Sequence, residues 1–124
     1  MKIMKIKIQS RSKFDRDLIK LAKAIDTNKT EKVYKKNGVY FESLTAVRKI
    51  LTDKRLDVWR SIRDKKPESI THLSEMLGRG FRSVHRDVTL LEELGLIELI
   101  EGPGRRGNVQ RLVSLYDELV LAVA

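Results

Sequence analysis

The apolar positions of the first residues follow a two-residue period, which then gives way to a helical one. In residues 2–9, Met4, Ile6 and Ile8 lie on one side and polar residues on the other, as in a half-buried strand. Over residues 13–25 the apolar residues recur at spacings of three and four. That spacing predicts an amphipathic helix after the strand.

The middle of the chain shows the same helical spacing in four further stretches. Thr52 precedes one of these stretches and is a residue type that caps helices, and another stretch starts at Ser69. Pro67 interrupts a helix, and Gly78 and Gly95 are typical of the position just after a helix end. The pattern predicts helices at 43–50, 53–65, 69–77 and 80–94.

Two hairpins and one terminal strand are predicted outside these helices. An Asn-Gly pair within 33–41 joins β-prone residues, and both of its positions accept a positive φ. Segments 96–101 and 109–115 flank a turn rich in glycine, which predicts a second hairpin. Residues 118–124 fit either a helix or a strand, and we interpret them as a strand.

This order of elements predicts an α+β fold in three parts. Residues 43–115 have the order helix, glycine turn, helix and hairpin, which is that of a winged helix-turn-helix. Residues 1–42 form a basic appendage of strand, helix and hairpin that serves dimerisation, and 116–124 form a terminal strand or dimer contact. The apolar residues of the two termini are the expected surface of a homodimer: Met4, Ile6, Ile8, Leu119, Leu121 and Val123.

Residues 69–97 carry a more specific motif than the order of elements. Ser74 is a small residue inside the first helix, Gly78 follows four residues later, and the β-branched Val84 lies six beyond it. With the run 84–88 and the Gly-Leu-Ile that follows the helix, the segment resembles the recognition helix of DeoR-type and MarR-like repressors. The resemblance implies a winged helix-turn-helix that binds DNA.

A wider part of the chain, about two-thirds of it, is similar to short, mostly archaeal winged-helix proteins. The similarity extends from residues 39–43 through 51–55 to 116–117. Those proteins are described as regulators or antitoxins. The resemblance therefore implies the fold more strongly than a regulated gene.

The predicted helix 80–94 has an apolar and a basic face. With a step of about 100° per residue, Phe81, Val88 and Leu91 fall close to Val84 and form the core face. Arginines fall on the opposite side, where a guanidinium can bond guanine edges or phosphates in a major groove. The alternative is a merely solvated basic face. The expected DNA-reading residues are Arg79, Arg82, Ser83, His85, Arg86 and Thr89.

Two other basic clusters and one acidic residue complete the candidate site. Arg105, Arg106 and Asn108 occupy the tip of the second hairpin, where a wing contacts backbone or minor groove, helped by Arg111. Exposed turns also collect such residues without any function. Asp87 would repel phosphate, and we assign it to a structural ion pair or hydrogen bond rather than to DNA contact. A further phosphate contact is expected from Thr52, Lys54 and Arg55.

Charge and composition narrow the partners. The chain has 26 Lys and Arg against 17 Asp and Glu, a formal charge of +9 that attracts polyanions. Residues 1–41 hold 12 of the basic and 4 of the acidic residues. A generally lysine-rich composition of the source organism's proteins, which favours solubility, would give the same excess. Absence of cysteine and of a long apolar stretch suits a cytoplasmic protein.

No catalytic, cofactor or metal motif is found. Gly102, Gly104 and Gly107 spell G-x-G-x-x-G, but no helix pattern follows them, so a dinucleotide site is rejected. His72 and His85 lack the spacing of metal ligands. The expected function is a dimeric DNA-binding repressor without enzymatic activity. Two alternatives remain open: an antitoxin that binds a toxin protein and represses its own operon, and an architectural binder without sequence preference.

Overall fold

The computed structural model describes residues 1–9, 23–24, 33–35, 38–104 and 107–123, with backbone alone at the second and third of these ranges. The fold is α+β, as predicted. Its strands are β1 Ile3–Ile8, β2 Lys23–Ala24, β3 Val33–Lys35, β4 Val39–Phe41, β5 Ile97–Gly104, β6 Gly107–Ser114 and β7 Glu118–Val123. Its helices are α1 Leu44–Ile50, α2 Asp53–Lys65, α3 Ile70–Leu77 and α4 Phe81–Glu93.

The chain divides into two compact units. Met1–Thr52 and Glu118–Ala124 form the first, which we call the sheet unit. Asp53–Asp117 form the second, which we call the helical unit. Helix α1, which the sequence assigned to the winged-helix domain at 43–115, groups by its contacts with the sheet unit. The functional boundary between residues 42 and 43 stays a prediction, because compactness does not say which segment binds a ligand.

A five-stranded sheet in the order β2-β3-β4-β1-β7 organises the sheet unit. Strand β1 runs parallel to both β4 and β7, whereas β3 pairs antiparallel with β2 and β4. The predicted strand at the N-terminus, the hairpin at 33–41 and the terminal strand are all confirmed. The predicted helix 13–25 lies outside the described residues except at Lys23 and Ala24, where the chain is a strand and the prediction is wrong.

The apolar face of β1 is buried inside the sheet unit. Met4, Ile6 and Ile8 are each less than a tenth exposed. They therefore cannot form a dimer surface together with β7, and this part of the dimer prediction is wrong. The two-residue period identified the apolar face of the strand, but it could not say that the same chain covers that face.

Three helices and the hairpin β5–β6 form the helical unit. Apolar side chains from all these elements are fully buried, among them Ile62, Leu73, Leu91 and Leu112. Trp59 on α2 is buried as well, and its indole Nε1 donates a 3.0 Å hydrogen bond to Ser114 Oγ at the end of β6. Trp59 is therefore a core residue, and its hydrogen bond connects the hairpin to α2.

The connection between α3 and α4 is a tight turn. Ser69 caps α3 by accepting a 3.0 Å hydrogen bond from the backbone N–H of His72. Gly78 ends α3 in the left-handed conformation, with φ 63°. This conformation is less favourable in free energy for residues that have a Cβ than for glycine. Gly80 then starts α4 with extended backbone. All four helices predicted between residues 43 and 94 are confirmed within a residue or two.

Candidate functional site

Helix α4 separates a buried apolar face from an exposed basic one. Val84, Val88 and Leu91 are fully buried against the helical unit. Arg82 and Arg86 are exposed. Within the described part of the chain neither arginine has an ion-pair partner. His85 and Thr89 are exposed as well, so four of the six predicted reading residues lie open on one helix.

One member of the predicted core face lies outside the core. Phe81 is 49% exposed, contrary to the prediction from the helical period. It occupies the first position of α4, and its ring lies beside that of His85, with 5.6 Å between the ring centroids. The helical period alone does not show whether another element covers that end of the apolar stripe. The N-terminal end of the open face is therefore partly aromatic.

The remaining two predicted DNA-reading residues, Arg79 and Ser83, contact each other, and Arg79 also contacts Asp87. One terminal nitrogen of Arg79, Nη2, lies 2.8 Å from Asp87 Oδ2 and donates a 2.6 Å hydrogen bond to Ser83 Oγ. The other terminal nitrogen, Nη1, is buried and has no hydrogen-bond partner among the described residues. Arg79 thus orders the start of α4, and it has less freedom than the prediction assumed to reach a ligand.

A second arginine completes this arrangement from the opposite side of Asp87. Arg55 on α2 donates from Nε to Asp87 Oδ1 at 3.0 Å, and both side chains are about nine-tenths buried. The structural ion pair expected of Asp87 is confirmed. The phosphate contact expected of Arg55 is wrong, because this side chain is buried. We call Arg55, Asp87 and Arg79 the arginine clamp.

The sequence predicted only part of the arginine clamp: that Asp87 has a partner, but not which residues supply it. Arg55 and Asp87 are 32 positions apart, so no periodicity connects them. A charged residue near the apolar edge of α4 did indicate that Asp87 needs a partner, since a buried carboxylate without one is costly. Which arginines supply the partner is decided by how α2 and the turn pack on α4.

The hairpin β5–β6 contains the residues predicted for a wing. Asn108 is exposed, whereas Arg105 and Arg106 lie outside the described residues. Arg111 is held by its own unit, since Nη2 donates a 3.2 Å hydrogen bond to the carbonyl of Pro103 and Nη1 lies 3.9 Å from Glu68 Oε1. Of the four residues predicted for the wing, Asn108 and Arg111 are therefore described: Asn108 is open to solvent, and Arg111 is bound within its own unit.

A surface ion pair on α2 is the one place where ionisation is visibly shifted among the described residues. A bidentate contact with Arg63, at 2.8 and 3.2 Å, lowers the pKa of the Asp64 carboxyl. The same hydrogen bond raises the pKa of Arg63, whose guanidinium also lies 4.8 Å from the Trp59 ring centroid. The Asp64 side chain is exposed and that of Arg63 is about a third exposed, so we interpret the pair as a surface contact rather than as part of the candidate site.

The described residues contain neither a cluster that could hold a metal ion nor a helix that could span a membrane. Among them no group of three histidine, cysteine, aspartate or glutamate side chains could hold a metal ion. His72 accepts a 3.3 Å hydrogen bond at Nδ1 from the backbone N–H of Glu68, close to the cap of α3. No helix in the described ranges has the length and apolar character needed to cross a membrane.

The sequence matches the HVO_A0114 family over residues 50–121, more than half of the 124 residues, and the chain therefore belongs to that family. The match covers the whole helical unit and most of β7. No curated protein and no solved structure matches the chain. Family membership by itself assigns no function here, so the function has to be argued from the site.

Proposed function

We propose that this member of the HVO_A0114 family binds double-stranded DNA through α4 and acts as a sequence-specific transcriptional repressor. In this proposal the helical unit is a winged helix-turn-helix. Helices α3 and α4 form the helix-turn-helix, and the hairpin β5–β6 forms the wing. Bound protein would act by occupying its site and blocking the transcription machinery.

The observation that carries the proposal is the exposed basic face of α4. A major groove admits one α-helix, and the side chains that read it must point away from the protein core. Arg82 and Arg86 are four residues apart, hence on the same side of the helix, and both are exposed. Opposite them, Val84 and Val88 anchor the helix in the core.

Electrostatics along α4 support contact with a polyanion. The first turn contains no acidic residue, so the partial positive charge of the helix start is not cancelled there. Asp87 is buried and paired with two arginines, so its charge is neutralised before it can repel a phosphate. The glutamates of α4, Glu92 and Glu93, lie at its C-terminal end.

The arginine clamp supports the proposal by fixing the orientation of the helix. A reading helix must present its side chains at a constant angle, since a small misplacement breaks bidentate contacts to a base. The clamp joins α2, the turn and α4 through two contacts of 2.8 and 3.0 Å to one carboxylate. It would hold Arg82 and Arg86 in place without taking part in recognition.

The test is fluorescence anisotropy of the purified protein across a salt series. One duplex is the DNA upstream of its own gene, and the other has a random sequence. We expect tighter binding to the upstream duplex. Arg82→Ala and Arg86→Ala should each weaken it by about 1 to 3 kcal/mol. Both duplexes should bind less as salt rises, because phosphate contacts release counterions.

A charge-matched control separates reading from general attraction. Arg48→Ala with Lys65→Ala also removes two exposed positive charges, but from α1 and α2. This control should lose little preference between the duplexes, whereas Arg82→Ala with Arg86→Ala should abolish that preference. If the Arg82/Arg86 double variant bound the upstream duplex as tightly as the wild-type protein does, the assignment of α4 would be overturned.

The same measurement distinguishes the two other functions suggested by the sequence. Nearly equal affinity for both duplexes would indicate an architectural binder that contacts the phosphate backbone alone. No salt-sensitive binding to either duplex would indicate a protein-interaction module such as an antitoxin. In that case a neighbouring toxin-like reading frame would identify the partner to test.

A further inference from the structure

Strand β7 is the outer strand of the five-stranded sheet. It pairs with β1 along its whole length, and among the described residues no other strand lies on its far side. In a parallel pair, every second residue turns its backbone N–H and C=O away from the neighbouring strand. The far edge of β7 therefore presents hydrogen-bonding groups without a strand to bind them.

This edge lacks the features by which proteins usually protect an outer strand. Such strands are short, interrupted by proline or a bulge, or carry charged side chains, especially lysine. Strand β7 has six residues, ELVLAV, with a single charge at its first position. Two of its apolar side chains are exposed, Leu121 by 46% and Val123 by 75%.

The exposed apolar side chains continue a buried face. In the register of the sheet, Leu119, Leu121 and Val123 of β7 lie beside Met4, Ile6 and Ile8 of β1. The β1 residues of this face are buried, whereas the β7 residues are covered less and less towards the end of the strand. The apolar face of the sheet thus extends to its edge, where Leu121 and Val123 are left exposed.

We propose that β7 pairs antiparallel with β7 of a second copy of this chain, about a two-fold axis at Leu121. A two-fold axis perpendicular to the sheet keeps the same face of both copies on the same side. Each odd-numbered residue of β7 then lies opposite an odd-numbered residue of the partner strand, and Leu121 lies opposite the Leu121 of the second copy. Leu119 faces the partner's Val123, so the exposed apolar side chains cover one another.

Charge and symmetry select a second copy as the occupant of this edge. Residues 119–123 carry no charge, so the strand offers nothing to a polyanion or a strongly charged peptide. In the proposed register the two Glu118 carboxylates lie at opposite ends of the paired strands and do not repel each other. An identical strand therefore matches this edge in length, apolar character and charge.

The test uses single cysteines, because the chain has none of its own. Leu121→Cys places two thiols directly opposite across the proposed axis, within the range in which cross-strand cysteines are oxidised to a disulfide. We expect a covalent dimer under mild oxidation. Leu44→Cys is the matched control, since Leu44 on α1 is 45% exposed and lies outside β7. It should remain largely monomeric on a denaturing gel.

Sedimentation equilibrium gives an independent result without any cross-link. The wild-type chain should be dimeric at tens of micromolar, Leu121→Glu should be monomeric with an unchanged circular dichroism spectrum, and Leu44→Glu should remain dimeric. A monomeric wild-type chain would overturn the proposal, as would equal cross-linking of the two cysteine variants. Both experiments are free of DNA, so their failure is distinguishable from a failure of the proposed function.

Discussion

The arginine clamp and the exposed face of α4 use the same residue type for opposite purposes. Arg55 and Arg79 surround a buried carboxylate, whereas Arg82 and Arg86 point to solvent a few positions away. The first pair holds elements of the protein together and has little freedom left. The second pair is exposed and has no ion-pair partner among the described residues. The role of an arginine here follows from what surrounds it.

This contrast explains how a helix that contains a buried carboxylate can still present exposed arginines in its first two turns. Asp87 is buried and ion-paired with both Arg55 and Arg79, so its negative charge does not face solvent. Variants that change the arginine clamp or the exposed arginines, but not both, therefore test whether the two groups have separate roles.

The largest effect is expected from breaking the clamp. Asp87→Ala leaves two arginines, one of them buried, without their carboxylate and should lower the free energy of unfolding by about 3 to 5 kcal/mol. Urea denaturation followed by circular dichroism measures it. Asp57→Ala is the control, because it removes a carboxylate whose ion pair with Arg60 is exposed. A loss as small as that of the control would contradict the clamp.

A smaller effect, on binding alone, is expected from the exposed face. Arg82→Ala and Arg86→Ala should leave the free energy of unfolding within about 0.5 kcal/mol of wild type, because exposed side chains contribute little to the fold. Loss of DNA affinity without loss of stability, measured by anisotropy and urea denaturation on the same samples, would sharpen the contrast. A strongly destabilised variant would instead give these residues a structural role.

The turn that separates the two groups offers a matched pair of glycines. Gly78→Ala should destabilise the chain by about 1 to 2 kcal/mol, because alanine disfavours the left-handed φ of 63°. Gly80 has φ −62° and nothing within 4 Å of an added Cβ, so Gly80→Ala should be tolerated. Thermal melts of both variants measure the difference. Equal melting temperatures would show that the left-handed turn is dispensable.

The smallest effect is expected at the exposed Arg63–Asp64 pair. Because the pKa of Asp64 is lowered from its ordinary value of 3.8, its ionised form is favoured in the folded state. The contribution is therefore present at neutral pH and disappears as the pH falls below that value. Asp64→Asn should differ slightly from wild type in melting temperature at neutral pH and not at all in strong acid. A difference that persists in acid would contradict this origin.

The sequence predicted the local elements well because each carries its own period. Ser69 and Gly78 delimit α3 as their residue types suggest, and the alternation of β1 identified its buried side. These features depend on neighbours a few residues away. The exposed positions of Arg82 and Arg86 followed from the same helical period, since the opposite face of α4 had to be apolar.

What the sequence left open depends on residues that are distant along the chain. The order of the five-stranded sheet, the pairing of Arg55 with Asp87 and the exposure of Phe81 all require knowing which elements pack together. The dimer prediction failed at Met4 for the same reason. A pattern says that a face is apolar, and only the tertiary structure says what covers it.

The pairing of β1 with β7 also bears on how the protein folds. Ile3 lies beside Glu118, so the sheet unit draws on two segments that the entire helical unit separates in the chain. Closing so long a loop is entropically costly for an unfolded chain and less so once the intervening residues have become compact. We therefore expect the helical unit to fold first, with the sheet completed in a later and slower kinetic phase.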